Sequence, residues 1–332
     1  MKCVMLGDIH LGLYNDSPIW HDVTLNLFEE VLDNCERKNI DNIFILGDLF
    51  HNRKSTNTVT EKVALQIADL LSKKQTTMLV GNHDAYYKTS LIPNSLQKFK
   101  NYSNIKIIDK IETIDNIVLC PWDTIPKGFR GGYCFGHFEL NGFYMNDGYK
   151  CHKGQDPQQL LLNEFDHIYS GHFHMPRSQG TITYIGAPFQ HNFGDVGQSR
   201  GYYIFDDGEL EFIKFTNAPE FVKIHINDKK QVFENEKIEG NIVKLVFQKD
   251  FGTVINERII DGVMAMKPLK MNNDFSLIVE NEDDVVNEEI SIDMMEHNKI
   301  IENYISGFKL PENVNKTTLI KMMLKFKKEL EE

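Results

Sequence analysis

The chain has 332 residues, 41% of them hydrophobic, and a formal net charge of −12. That length suits roughly two domains of about 100–200 residues each, with material for a sizeable core. The acidity argues against a protein that holds nucleic acid by itself through counterion release, because that mode needs a basic surface.

Lys2–Leu6 reads as a strand, Val23–Arg37 as a helix with Leu27, Val31 and Leu32 on one face, and Asn42–Leu46 as a strand. Thr60–Leu71 reads as a helix and Thr76–Val80 as a strand. The intervals between Asp8, Asp48 and Asn82 are long enough for helical crossovers between parallel strands. Loops bearing these residues then gather at the carboxyl edge of a sheet. From about Asn116 the pattern becomes more purely β, with strands expected at Asn116–Cys120, Tyr133–Phe135, His167–Ser170, Thr181–Ile185 and Gly201–Phe205. These are expected to form a second sheet packed on the first.

From about Glu209 to Phe275, short strands including Phe221–Ile226 and Ile242–Phe247 suggest a small separate α+β unit. The expected division is therefore 1–208, 209–275 and 276–332. Between Lys270 and Lys299 there is no Lys or Arg and there are nine Asp or Glu, the pattern of a solvated linker. Beyond it, Ile301, Tyr304, Ile305 and Phe308 make one helical stripe, and Leu319, Met323, Phe326 and Leu330 a second, with Asn315 as N-cap. Two such helices are too short to fold alone and must dock, and the linker before them favours docking on a partner.

No run approaches the roughly 18 apolar residues of a membrane helix, and the N-terminus reaches Asp8 before a signal-peptide core can form. A soluble, cytoplasmic protein with no membrane partner is expected (in the host cytoplasm if phage-encoded). The five cysteines are odd in number and lack CxxC spacing, so they are read as reduced and mostly buried.

Five motifs place metal-binding side chains directly after a glycine that ends an apolar run: Gly7-Asp8-Ile9-His10, Gly47-Asp48, Gly81-Asn82-His83-Asp84, Gly136-His137 and Gly171-His172-Phe173-His174. Scattered ligands of mixed oxygen and nitrogen type suit a two-metal hydrolytic centre, in which a metal-bound hydroxide attacks a phosphate ester. Asp48 is the natural bridging carboxylate. Asp8, His10 and a distal histidine would complete one ion, and Asn82 with two other histidines the second. The donor mixture favours Mn²⁺, with Mg²⁺ the alternative. His83 can point across the site to stabilise the transition state or protonate the leaving oxygen, with Asp84 holding its imidazole. His51 can face the scissile phosphate from the other side. Arg53, Lys54, Lys150, Lys153, Arg177 and Arg200 are candidate phosphate contacts. His21, His167, His225 and His297 lack the motif context, and His152 and His191, though near it, are read as structural.

Taken together, these motifs resemble the calcineurin-like metallophosphoesterase superfamily. The run Gly47-Asp48-Leu49-Phe50-His51-Asn52-Arg53 and the ending in Asp84 depart from protein Ser/Thr phosphatases and are similar to the SbcD/Mre-type nucleases of double-strand-break repair. Phe135–Tyr144 and Tyr184-Ile185-Gly186-Ala187-Pro188 look most like the phage recombination-endonuclease branch. The resemblance covers about residues 1–205. It implies a four-layer αββα sandwich with a small capping domain that shapes DNA access and a terminal helical pair. It also implies a manganese pair held by Asp8, His10, Asp48 and His174 on one side and Asp48, Asn82, His137 and His172 on the other. His83 would be the catalytic histidine outside the ligand set, and His51 a second active-site histidine that some members lack. The implied activity is 3′–5′ exonuclease on duplex ends and endonuclease on single strands. The implied partners are DNA, a second copy of the nuclease domain, and an SMC-like SbcC-type ATPase bound through residues of about 290–332. Two alternatives are a phosphodiesterase of nucleotides or other small molecules and a non-catalytic scaffold for the ATPase.

Overall fold

The computed structural model describes residues 1–279, save 55 and 147; the two C-terminal helical stripes and the greater part of the acidic run lie outside the described residues. Short, nearly continuous apolar strands buried on both faces, with amphipathic helices between the first of them, produce two mixed six-stranded sheets. The strands in chain order are β1 (Lys2–Leu6), β2 (Asn42–Ile45), β3 (Gln75–Leu79), β4 (Ala85–Tyr87), β5 (Ser90–Asn94), β6 (Ile105–Ile108), β7 (Glu112–Ile114), β8 (Ile117–Cys120), β9 (Tyr133–His137), β10 (His167–Gly171), β11 (Arg177–Gln179), β12 (Ile182–Tyr184), β13 (Gly201–Asp206), β14 (Glu209–Lys214), β15 (Phe221–Ile226), β16 (Ile242–Phe247) and β17 (Lys270–Asp274). The helical segments are a single turn α1 (Leu13–Asp16), α2 (Pro18–Lys38), α3 (Thr58–Leu70), α4 (Pro157–Leu161), α5 (Thr253–Met264) and α6 (Ser276–Val279).

The first sheet has the order β14-β13-β1-β2-β3-β6, with β1, β2, β3 and β6 parallel. The second has the order β11-β12-β10-β9-β8-β7, with β8, β9, β10 and β12 parallel. Period-two alternation distributes the side chains. Cys3, Met5, Phe44 and Leu79 of the first sheet meet Leu119, Phe135 and Tyr169 of the second in a shared core, where the Phe44 and Phe135 rings stand edge to face at 5.2 Å. The opposite faces of β1 and β2, through Val4, Leu6, Ile43 and Ile45, pack on Leu27, Phe28 and Val31 of α2 and Ala64 and Ile67 of α3. α3 starts on Asn57, whose side chain accepts hydrogen bonds from the backbone of Val59 and Thr60. The outer face of the second sheet is covered by loops and the short α4, through Phe138, Leu140, Phe143 and Leu160. The fourth layer implied by the resemblance is therefore mostly loop.

Two expectations about strand placement change. Gly201–Asp206 pairs antiparallel with β1, from Lys2↔Asp206 to Met5↔Tyr203, so it belongs to the first sheet and not to the second. Glu209–Lys214 pairs with β13 and extends the same sheet, although the sequence suggested that it opens the small unit. A short run of β-forming residues reveals a strand but not which neighbour it pairs with. The remaining β15-β16-β17 sheet is wholly parallel, with α5 joining β16 to β17 and a core of Ile226, Val243, Leu245, Phe247, Ile259 and Val263. Met1–Ile278 cluster as one compact unit that includes this sheet.

Candidate metal centre

The central parallel strands of both sheets deliver their carboxyl ends to one place. Asp8 and His10 follow β1, Asp48 follows β2, Asn82 and His83 follow β3, His137 closes β9, and His172 and His174 follow β10. To turn out of the strands, Asp8, His10, Asp48 and His172 take left-handed backbone, with φ of 51°, 53°, 52° and 90°. Each such residue costs on the order of 1–3 kcal/mol, a strain tolerated where surrounding structure enforces it. The motif glycines are needed for room. A Cβ at Gly81 would collide with the carboxylate and backbone nitrogen of Asp48, and one at Gly47 (φ 91°) with the His137 ring.

The side-chain donors converge closely. His10 Nε2 lies 3.1 Å from His174 Nε2 and 3.7 Å from Asp48 Oδ2. His137 Nε2 lies 3.3 Å from Asp48 Oδ2 and 3.0 Å from Asn82 Oδ1, which is also 3.0 Å from His172 Nδ1. Donor atoms of Asp8, His10 and Asp48 fall within 4.8 Å of one another, as do those of Asp48, His137 and His172. Asp48 is common to both groups, as a bridging ligand must be. The backbone N–H of His172 donates to both oxygens of Asp8 at 3.0 Å. His137 Nδ1–H donates to the Leu46 carbonyl at 2.7 Å, which points Nε2 at Asp48 and Asn82.

The electrostatics fit a cationic occupant. Asp8, Asp48 and Asp84 are all essentially buried. Burial, reinforced by the charge of Asp48, pushes Asp8 up to about 7 and Asp84 up to about 6. The basic groups against Asp48 are the imidazoles of His10 and His137. Burial opposes charge on both members of the Asp48–His137 pair, but their mutual attraction outweighs it: Asp48 is held below the usual carboxylate range and His137 is pushed up to about 9. Burial, with neighbouring imidazoles, lowers His172 to about 3 and, with a weaker push from Arg200, lowers His174 to about 4; His10 falls well below its ordinary value. Neutral imidazoles keep the lone pairs that ligation needs, and clustered buried carboxylates need positive charge that divalent ions would supply.

One expectation is corrected. Asp84 does not hold the His83 imidazole. Its oxygens accept hydrogen bonds from the backbone of Gly81 at 3.0 Å and Phe50 at 3.1 Å, which ties the loop after β3 to the loop after β2. A local carboxylate draws on the nearest orphaned backbone donors, and those lie beneath the loop. His83 is held by its own backbone N–H, which donates to Asp48 Oδ1 at 2.8 Å, and by Nδ1–H, which donates to the His51 carbonyl at 2.7 Å. The rings of His51 and His83 are nearly parallel, and His51 Nδ1 is 3.4 Å from His10 Nδ1.

His10, His51, His83, His174 and His191 line a cavity of about 490 Å³. Its border residue Asn52 also borders a second cavity of about 250 Å³, lined by Arg53, Lys54, Lys98 and Tyr86. Of the other candidate phosphate contacts, Arg177 and Lys150 lie over the Tyr144 ring at 3.9 and 4.7 Å, and Arg200 pairs with Asp195 at 2.6 Å. His21 and His167 are engaged with Asp16 and Thr183, and His225 with Gln248, away from the cluster. The sequence reading missed His191, whose Nδ1 is 3.2 Å from His174 Nδ1. It follows no strand-ending glycine, so only its proximity in sequence to the last motif could have marked it. A larger groove of about 590 Å³, bordered by Glu29, Asp33, Glu36 and Asp69, carries none of these groups.

Residues 1–176 match the family model of the calcineurin-like phosphoesterases. The chain belongs to that family. Its Asp–His cluster is typical of the dimetal phosphoesterase site. Among relatives, Exonuclease subunit 1 of Enterobacteria phage T4 is 28% identical, the match covering 92% of this chain and 93% of that protein. The SbcD subunit of nuclease SbcCD from Staphylococcus epidermidis is 23% identical, over 78% of this phosphoesterase and 75% of its own length. Its counterpart of the same name from Staphylococcus saprophyticus is 22% identical, over 95% and 96%. No helix among the described residues is long and apolar enough to cross a membrane.

Proposed function

We propose that this phosphoesterase is the manganese-dependent nuclease subunit of a DNA recombination and double-strand-break repair complex. It would act as a 3′–5′ exonuclease on duplex ends and an endonuclease on single strands. The observation that carries the reading is the convergence of Asp8, His10, Asp48, Asn82, His137, His172 and His174 around a carboxylate common to both donor groups. One ion would be held by Asp8, His10, Asp48 and His174, the other by Asp48, Asn82, His137 and His172. Carboxylate, amide and imidazole donors in this mixture suit Mn²⁺ better than Mg²⁺. When bound, such a pair supplies a nucleophile active at neutral pH and positive charge against the phosphoryl oxygens.

The chain's own groups do the rest. The Leu46 carbonyl fixes the tautomer and direction of His137. The His51 carbonyl engages His83 Nδ1, which leaves Nε2 as the nitrogen available to substrate, to protonate or stabilise the leaving oxygen. His51 would flank the scissile phosphate. Asp84 supports the reaction by locking the Asn82–His83 loop, not as a proton carrier.

A polymeric substrate is supported by the basic cavity that continues from the site at Asn52, and by the near full-length likeness to a phage exonuclease subunit. Arg53 and Lys54 make no ion pair among the described residues, so both are free to meet a neighbouring phosphate. The relatives are named as subunits, which supports an ATPase partner of the SbcC type bound through residues of about 290–332, outside the described residues. The β15–β17 sheet would serve as the capping unit, and the nuclease domain would pair with a second copy. Manganese-dependent degradation of labelled duplex and single-stranded oligonucleotides, run beside hydrolysis of a small aryl phosphodiester, tests the activity. Turnover of the small ester with no attack on DNA would overturn the nuclease reading. Deleting residues 290–332 is expected to abolish co-purification with the ATPase and spare basal cleavage; unchanged co-purification refutes that assignment.

A further inference from the structure

His191 is a buried imidazole with a single polar side-chain contact. It is 5% exposed, and its Nε2 has no hydrogen-bond partner among the described residues. Its Nδ1 lies 3.2 Å from Nδ1 of His174, with the two rings at 78° and centroids 4.6 Å apart. The residue is fixed from both sides of its backbone. Its N–H donates to Asp195 Oδ2 at 2.7 Å, and its carbonyl accepts from the Tyr14 hydroxyl at 2.6 Å. Asp195 is itself anchored by Arg200, and the His191 ring stands against Phe189. A leucine would fill such a place without leaving a buried nitrogen unsatisfied. Unlike leucine, the imidazole offers His174 an acceptor, and it brings a nitrogen within 4.8 Å of donor atoms of both His10 and His174.

We propose that His191 is a positioning residue for the metal centre: its Nδ1 accepts the Nδ1–H of His174, so that the Nε2 lone pair of His174 points to the place where His10 Nε2 converges. Metal-binding histidines depend on such a partner for tautomer and ring direction, and it is usually a carboxylate or a carbonyl. Here a second imidazole fills the role, and the Asp195 and Tyr14 bonds to its backbone keep it in place. The inference rests on the reading of His174 as a ligand.

The test is calorimetric titration of the metal-free full-length protein with MnCl₂, with the thermal midpoint of each metal-free variant measured alongside. Wild type is expected to bind two equivalents. His191→Leu is expected to lose about 10–100-fold in affinity at one of the two sites. His191→Asn places an oxygen where Nδ1 stood and is expected to retain most of that affinity. His191→Gln moves the oxygen to the Nε2 position and is expected to behave like Leu, which keeps the comparison available if the Leu variant does not fold. Wild-type affinity in both the Leu and Gln variants would overturn the proposal, as would an Asn variant as weak as Gln. If wild type itself binds no manganese, the ligand reading fails instead.

Discussion

In the metal cavity, four residues sit in left-handed backbone, three carboxylates are buried, and two motif glycines exist because a Cβ would strike a functional side chain. In the β15–β17 sheet, Ile226, Val243, Leu245 and Phe247 pack against Ile259 and Val263 of α5 as an ordinary apolar core. Both regions belong to one compact unit, but they follow different rules. The cavity departs from what local stability favours, and the departures coincide with the chemistry. The small sheet buries no carboxylate or imidazole among the described residues, and its one left-handed non-glycine residue, Lys267, lies in the turn before β17, so its residues should affect stability and leave the chemistry unchanged.

The sharpest break of that contrast is Gly81→Ala. The added methyl would meet the Asp48 carboxylate and backbone nitrogen, so the carboxylate common to both donor groups has to move. Cleavage is expected to fall by more than about 10⁴-fold, because residues acting as a unit fail together. Manganese titration should show both sites weakened; wild-type binding would mean that the loop absorbs the methyl. His83→Ala comes next. Removing a positioned proton donor costs about 10²–10⁴-fold in rate. Here manganese affinity should stay nearly intact, because His83 is held by the His51 carbonyl and lies outside the proposed ligand set. Equal loss of bound metal would place His83 among the ligands.

These two variants also mark how far the sequence could be read. Each motif opens on a glycine at the end of a strand, and the five motifs share no helical or strand period that would explain them as core. That regularity makes the convergence legible from the residues alone. What the sequence did not carry was pairing. Gly201–Asp206 has the short aromatic and apolar run of a strand, but nothing in it says that its partner is β1 in the first sheet. The Asp84 assignment failed for a related reason. Adjacency to His83 suggested a side-chain partner, but the nearest unsatisfied donors were the backbone N–H groups of Gly81 and Phe50, and a buried carboxylate takes those first. His191 was illegible because its proposed role depends on a contact with His174 across the β11–β12 hairpin and not on any spacing. The small sheet was the reverse case: Phe221–Ile226 and Ile242–Phe247 were readable as strands, but no residue there announced a function.

Leu245→Ala probes that second region. Leu245 is fully buried in β16, and truncating such a side chain costs about 2–5 kcal/mol. Denaturant unfolding of the metal-free protein should show the loss, and manganese titration should not change. A drop in metal affinity would couple the small sheet to the cavity and break the contrast.

The smallest effect has the opposite sign. Gly262 lies in α5, its φ is not in the left-handed region, and a Cβ there would meet nothing within 4 Å. Glycine inside a helix is destabilising relative to alanine by roughly 0.5–1 kcal/mol, chiefly through the freedom it retains when unfolded. Gly262→Ala should therefore raise the denaturant midpoint slightly and leave cleavage as it was. The same substitution type is expected to disrupt the centre at Gly81, because there the space a methyl would enter is already occupied by Asp48. A destabilised Gly262→Ala protein would mean that α5 is constrained by something beyond its own core, and the small sheet would then need the same kind of explanation as the cavity.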